Sequence, residues 1–403
     1  MNLMRRPVRA PVLLSYAGFV LVGINAGVSG VLIPAQMADY GVDKATIGLT
    51  FFTSSTGFML AGATTGALLH RVHVRLALVI GVAAYALGAV ALAARPPFAA
   101  LVAVQLLIGY GTGNLEAVLN VYLTELPNAT TLLNRLHAFF GVGALLGPLL
   151  AAWLLQSLPW TWVWLVLAGL CLPLGLGFLL WYPRRAPAAE RAADTPRPTG
   201  VFADALRSPA VVFGSLFLAV YVGLEIGVGT WAFTFLVEQH AEPGVVAGYT
   251  VSGYWLGLTL GRFLISPLAT RAGLTPAAMA TLCLIGVTAG SALLWAAPTA
   301  PLATAGFVLL GFFLGPLFPT AMAVTPQVVP ARLVPTAIGV MNGLSLVGGS
   351  ALPWLAGWLA QHSGIWTLMP FVLVLSVVQL AVWRLMIARS TATPAPVPVP
   401  ATD

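Results

Sequence analysis

A chain of 403 residues that is 59% hydrophobic and only 7% charged, with a mean hydropathy of +0.95, excludes a soluble globular domain, in which about a quarter of residues are charged. It is the composition of a polytopic membrane protein. The net charge of +7 does not imply a nucleic-acid partner, because the basic residues gather at the ends of apolar stretches rather than in one patch.

Apolar windows of about 20 residues, the length that spans a bilayer, recur twelve times between polar breaks. Closed barrels alternate in shorter segments, so an all-α membrane protein with twelve transmembrane helices is expected. The first span covers 11–34 and contains GINAGVSG, whose small residues permit close packing and whose Asn25 and Ser29 share a face. The second, 45–69, is rich in Gly, Ser and Thr and ends in the basic turn HRVHVR. Spans follow at 76–94 and 98–124; the fifth begins near 133 and the sixth ends at 182. The Pro-, Ala- and charge-rich stretch 183–208 reads as a cytoplasmic linker between two domains, 1–182 and 209–388. The second half continues with spans at 209–237, 244–268, 276–296, 301–324, 334–361 and 365–387, and the Pro-rich tail 389–403 is expected to be disordered.

With the N-terminus inside, all of the 18 basic residues except Lys44 and Arg95 fall at cytoplasmic ends and loops, Arg71, Arg75, Arg262, Arg271, Arg332 and Arg384 among them. This is the positive-inside pattern and places both termini in the cytoplasm. Cys171 and Cys283 lie in apolar spans far apart and suggest neither a disulfide nor a metal site. The first span lacks a small-residue cleavage site, so no signal peptide is read.

An offset of 200 superimposes GINAGVSGV from Gly23 on GLEIGVGTW from Gly223, Gly57 on Gly257, and Arg71 on Arg271. The halves are repeats, hence two pseudo-symmetric six-helix halves. Glu116, in GYGTGNLEAVLN, and Glu225, opposite Asn25 in the repeat, are the acidic residues well inside spans. A charge at membrane depth costs about 2.5–3.5 kcal/mol by insertion scales and is by default a functional hypothesis. Both are expected to serve proton coupling and substrate binding. Glu116 and Asn120, four apart, share a helix face, while Asn114 points about a third of a turn away. The expected lining adds Asn25, Ser29, Asn114, Thr230, Trp231, Tyr254, Trp255 and Asn342, with no buried Arg or Lys among them. Amides and aromatic faces without a cation suit a neutral polyhydroxyl ligand, since a desolvated anion needs a paired cation. Arg71 and Arg271 are expected to gate the inner ends, and His137 is a candidate proton relay. No cofactor is expected apart from the coupling ion, a proton with sodium as the alternative.

The chain resembles the sugar:proton symporter branch of the major facilitator superfamily, the fucose permeases and bacterial glucose/mannose:proton symporters. The motifs that carry the likeness are GYGTGNLEAVLN, NRLHAFFGVGALLGPLL, YVGLEIGVGTW, GYWLGLTLGRFLISPLATR and GFFLGPLFPTA. The resemblance implies a glutamate for proton coupling and sugar binding at Glu116 and a Tyr-x-Gly-x-Glu motif at Tyr221, Gly223 and Glu225. Gly30 stands where fucose permeases carry an Asp, and His70 where the superfamily's second-to-third loop is usually acidic. The expectation is thus not an enzyme but a monomeric inner-membrane carrier, embedded in lipid, that takes up a neutral monosaccharide with a proton as its halves rock about a mid-membrane site. A proton-coupled exporter of drugs or metabolites is the alternative, and a non-transporting membrane sensor a third reading.

Overall fold

The computed structural model describes residues 9–184 and 201–390, and among them every regular element is a helix. The expected linker segment 185–200 and the expected tail from 391 onward lie outside the described residues. In chain order the helices are α1 (Arg9–Tyr40), α2 (Lys44–Ile47), α3 (Leu49–Arg71), α4 (Val74–Ala93), α5 (Phe98–Thr124), α6 (Ala129–Leu154) and α7 (Thr161–Trp181). They continue with α8 (Val201–Arg207), α9 (Pro209–His240), α10 (Gly244–Arg271), α11 (Pro276–Ala296), α12 (Ala300–Leu314), α13 (Leu317–Val328), α14 (Val334–Ser363) and α15 (Leu368–Ser390). Among the described residues, ten helical segments are long and apolar enough to cross a membrane, with α12 and α13 counted as one. The Gly/Ser/Thr-rich α3 and α10 are long enough, at 23 and 28 residues, but more polar. Together these make the twelve expected spans. Within the expected linker, residues 201–207 form α8, which packs on α9 and α14.

Local chemistry sets the ends. Asp43 accepts a hydrogen bond from the N–H of Thr46 at 2.7 Å and starts α2, while Thr275 caps α11 through the N–H of Ala278 at 3.2 Å. Proline at the first turns of α9 and α11 removes a donor that would have had no partner. Leu172, Leu87 and Leu13 are among the apolar side chains left facing outward, as expected where the surroundings are lipid.

Helix pairing repeats between the halves: α1 packs on α6 as α9 packs on α14, α3 on α5 as α10 on α12, and α4 on α7 as α11 on α15. Glycines make these contacts close. A Cβ on Gly57 would lie 2.8 Å from the Tyr110 N, and one on Gly257 would lie 3.1 Å from the Phe312 N, so the repeated glycines keep the same helix pair in backbone contact. The halves meet through α6 with α10, α3 with α14, and α1 with α9. At the last of these, a Cβ on Gly30 would lie 2.5 and 2.6 Å from the carbonyl oxygens of Gly229 and Thr230. Residues 30 and 230 correspond under the repeat offset, so α1 and α9 cross at the pseudo-two-fold axis.

Candidate functional site

α1 and α9, the innermost helices, bring the first-half polar residues toward α5 and α10. Asn25 and Ser29 are half-buried on α1; Asn25 Oδ1 accepts a hydrogen bond from the hydroxyl of Tyr85 on α4 at 3.1 Å, and Ser29 Oγ donates to the Asn25 carbonyl at 2.7 Å. On α5, Glu116 and Asn120 are half-buried, and Asn120 Nδ2 donates to the backbone carbonyl of Glu116 at 2.8 Å. The Glu116 carboxyl itself has no hydrogen bond or ion pair among the described residues.

The second half supplies what the sequence reading placed elsewhere. Arg262, expected at a cytoplasmic helix end, lies inside α10 and pairs its Nη2 with Glu225 Oε1 of α9 at 2.9 Å, the two side chains 23% and 13% exposed. The expectation of a path without a buried cation is therefore corrected. Arg262 Nε also donates to the Gly315 carbonyl at 3.2 Å. That carbonyl is available because residue 319, whose N–H would bond it in an unbroken helix, is a proline, and Pro316 breaks the span into α12 and α13 at the same place. Tyr254 Oη donates to the Glu225 backbone carbonyl at 2.9 Å and fixes α10 against α9. Arg262 and Glu225 lie near enough for their charges to act on Glu116 across the space between the halves. His137, exposed on α6 with its ring edge-on to Phe19, also feels Arg262.

Other candidates lie elsewhere. Asn114 is fully buried and its amide turns toward Gly81 of α4, away from Asn120, so it does not join the candidate site. Trp231 packs edge-on to Phe51 of α3 and donates from Nε1 to the Pro353 carbonyl at 2.8 Å; it closes one end of the molecule. Thr230 is buried at the α1–α9 crossing. Trp255 is buried against Gly229 and faces Phe140 across the α6–α10 interface. Asn342 is exposed on α14. Arg71 and Arg271, the last residues of α3 and α10, are exposed, and no described residue pairs with either. Sequence reading missed Tyr85 and Arg262; the Pro319 in GFFLGPLFPTA was the signal for a free carbonyl opposite α10.

The molecule is closed at one end and open at the other. At the closed end Lys44 bridges to Glu238 at 3.0 Å, Phe52 lies against Trp354, and Gly48 and Gly357 admit Trp354 and Trp231. Along the same stripe of α3, Gly62 and Gly66 meet nothing within 4 Å, and neither do Gly339 and Gly343 of α14. The two helices thus diverge toward the end that carries Arg71 and Arg271. Through that opening Glu116, Glu225 and Arg262 keep partial exposure although they sit mid-helix. With both carboxyls ionised, these three groups sum to one negative charge, which a single proton cancels; in surroundings of low dielectric that difference is large.

A sequence model of the Major Facilitator Superfamily matches residues 16–252 and 232–402. The chain is 25% identical over 379 residues to a gallate transporter of Pseudomonas putida, covering 82% of each protein. It is 23% identical over 374 residues to a glucose/galactose transporter of Brucella abortus, covering 86% of this chain and 87% of that one. Among solved structures, a bacterial homologue of the human lysosomal transporter Spinster, in an inward-facing and unoccupied conformation, superimposes with a TM-score of 0.78 at 16% identity, over 98% of this chain and all of that one.

Proposed function

The chain belongs to the Major Facilitator Superfamily, a family of transporters and not enzymes, and we propose that it couples protons to the movement of a small polar organic solute by alternating access. The carrying observation is the Glu116 carboxyl, mid-helix and half-buried, facing Arg262 and Glu225 with no bonded partner among the described residues. A carboxyl so placed can take up a proton without breaking an existing contact. The two halves rock so that the end closed at Gly30, Lys44 and Trp231 opens as the other closes, and the arginine-bearing end faces the cytoplasm of an inner membrane by the positive-inside rule.

Two cargo classes have support. A neutral monosaccharide such as glucose, mannose or fucose suits the amides of Asn25 and Asn120, and the Brucella abortus relative is a glucose/galactose transporter. A carboxylate suits Arg262, and the Pseudomonas putida relative is a gallate transporter. In either case Glu116→Gln should lower accumulation driven by an imposed pH gradient in proteoliposomes while leaving counterflow of bound solute, because an amide cannot cycle between charged and neutral forms. Wild-type accumulation by that variant would remove Glu116 from the mechanism, and replacement of the pH gradient by a sodium gradient tests the ion.

A further inference from the structure

We propose that Arg262 is the seat of a carboxylate cargo and that Glu225 is its resident counter-ion, displaced when the cargo arrives; this rests on the reading of the central space as the transport path. The geometry of the pair carries it. An arginine and a carboxylate that serve only to hold two helices together commonly meet through two parallel hydrogen bonds. Here a single Nη2–Oε1 contact of 2.9 Å joins them. Nη2 has one further acceptor, the Tyr221 hydroxyl at 3.5 Å, and Nε is held by the Gly315 carbonyl. Nη1 has no acceptor among the described residues and is not among the buried atoms left without a partner, so its two donors reach the open space.

The fork therefore has one edge fixed to the protein and one edge free. A planar acceptor approaching from the open end meets Nη1 first and completes a two-point contact by taking Nη2 from Glu225. A sugar hydroxyl can accept from Nη1 too, but it has no charge with which to compete for Nη2. The Gly315 carbonyl, left unbonded by Pro319, keeps the guanidinium in place while its partner changes.

The exchange is balanced by one proton. In the resting pair the charges of Arg262 and Glu225 cancel. When a cargo carboxylate takes the guanidinium, Glu225 is left as an unpaired anion beside it, and a proton from solution converts it to the neutral acid; no other bond forms or breaks. The titratable groups near this pair are Tyr221 of α9, Tyr254 of α10, Glu116 of α5 and His137 of α6. Cargo binding thus takes up a proton at Glu225 in addition to any taken by Glu116.

The test is calorimetric titration of the purified full chain in lipid nanodiscs with benzoate and, separately, glucose, in buffers of different ionisation enthalpy. Benzoate should bind with uptake of a proton that Glu225→Gln abolishes, and that variant should bind benzoate more tightly than the wild type at alkaline pH. Arg262→Gln together with Glu225→Gln, which removes both charges and leaves no unpaired ion, should weaken benzoate more than about tenfold. Benzoate binding that survives the double substitution, or that takes up the same proton in Glu225→Gln, overturns the exchange. Glucose binding with no benzoate binding overturns it as well, while leaving the proton-coupled reading with Glu116 intact. Failure of the Glu116→Gln experiment, by contrast, removes that reading whichever ligand binds.

Discussion

Adding one methyl group at Gly30 perturbs the contact on which the closed end depends. The new Cβ would sit 2.5 Å from the Gly229 oxygen, 2.6 Å from the Thr230 oxygen and 2.8 Å from Thr230 Cα. All three are backbone atoms of α9, which no side-chain rotation can move aside. Ordinary contact needs about 3.4 Å or more, so α1 and α9 must part by about 1 Å, a strain in the range of about 1–3 kcal/mol for overpacking. If this end separates in the alternate state, the strain acts only on the closed arrangement, and the equilibrium between states shifts by about 5- to 150-fold. Spin labels on Ser157 and Glu242 report the closed end, and labels on His70 and Thr270 the open end. Gly30→Ala should lengthen the first distance and shorten the second. Gly23→Ala is the control, because its Cβ would meet Ala144 N at 2.8 Å and Gly143 Cα at 3.0 Å inside the same half; it should lower the melting temperature without moving either distance. Unchanged distances in Gly30→Ala, in a protein that remains folded, would refute the rocking argument.

Further outcomes follow from the same geometry. Lys44→Ala removes the 3.0 Å bridge to Glu238, a pair with side chains 15% and 37% exposed; it should shift the conformational equilibrium by about 0.2–1 kcal/mol and the label distances in the same direction, and wild-type protein in high salt should approach the variant. Asp43 is held below the usual carboxylate range by its hydrogen bonds from the Thr46 hydroxyl and N–H. Its stabilising contact is complete above the ordinary carboxylate pKa of about 4 and is lost as pH falls through the lower folded value. The protection of the α2 amides, relative to the intrinsic exchange rate at each pH, should therefore fall on acidification, and Asp43→Asn should remove that acid dependence.

The repeat was legible because it is written in glycine. Gly57 and Gly257 recur at a fixed offset because a larger residue at either would break the same helix contact, and such a constraint survives when the surrounding apolar residues drift. The polar face of α5 was legible for a similar reason, since Glu116 and Asn120 stand out against an apolar helix at one-turn spacing. The offset of Asn114 was readable too, although not that it turns to Gly81. Arg262 was misread because basic residues were assigned by their nearest loop. It lies nine residues before the end of α10, about 13 Å along the axis, too deep for a side chain that merely marks topology. What places it there is a carbonyl on another helix, freed by a proline 57 positions later in the chain, and only the folded chain sets the two side by side.

The halves share their packing but not their charges, and that difference gives the rocking motion something to act on. Arg262 and Glu225 move with the second half, and Glu116 with the first. A rigid-body rotation of one half against the other changes the distance between Glu116 and the pair without altering the contacts inside either half. At an effective dielectric of about 20, a unit charge about 8 Å away is worth roughly 2 kcal/mol, and doubling that distance halves it. On the proposed mechanism, the free energy of protonating Glu116 depends on which end of the molecule is open and on whether Glu225 and Arg262 still cancel. By reciprocity, a proton on Glu116 biases the opening by the same amount. Gly30→Ala and Glu116→Gln thus approach one coupling from its two sides: the first changes the conformational equilibrium and must change proton uptake, and the second removes the proton and must change the label distances.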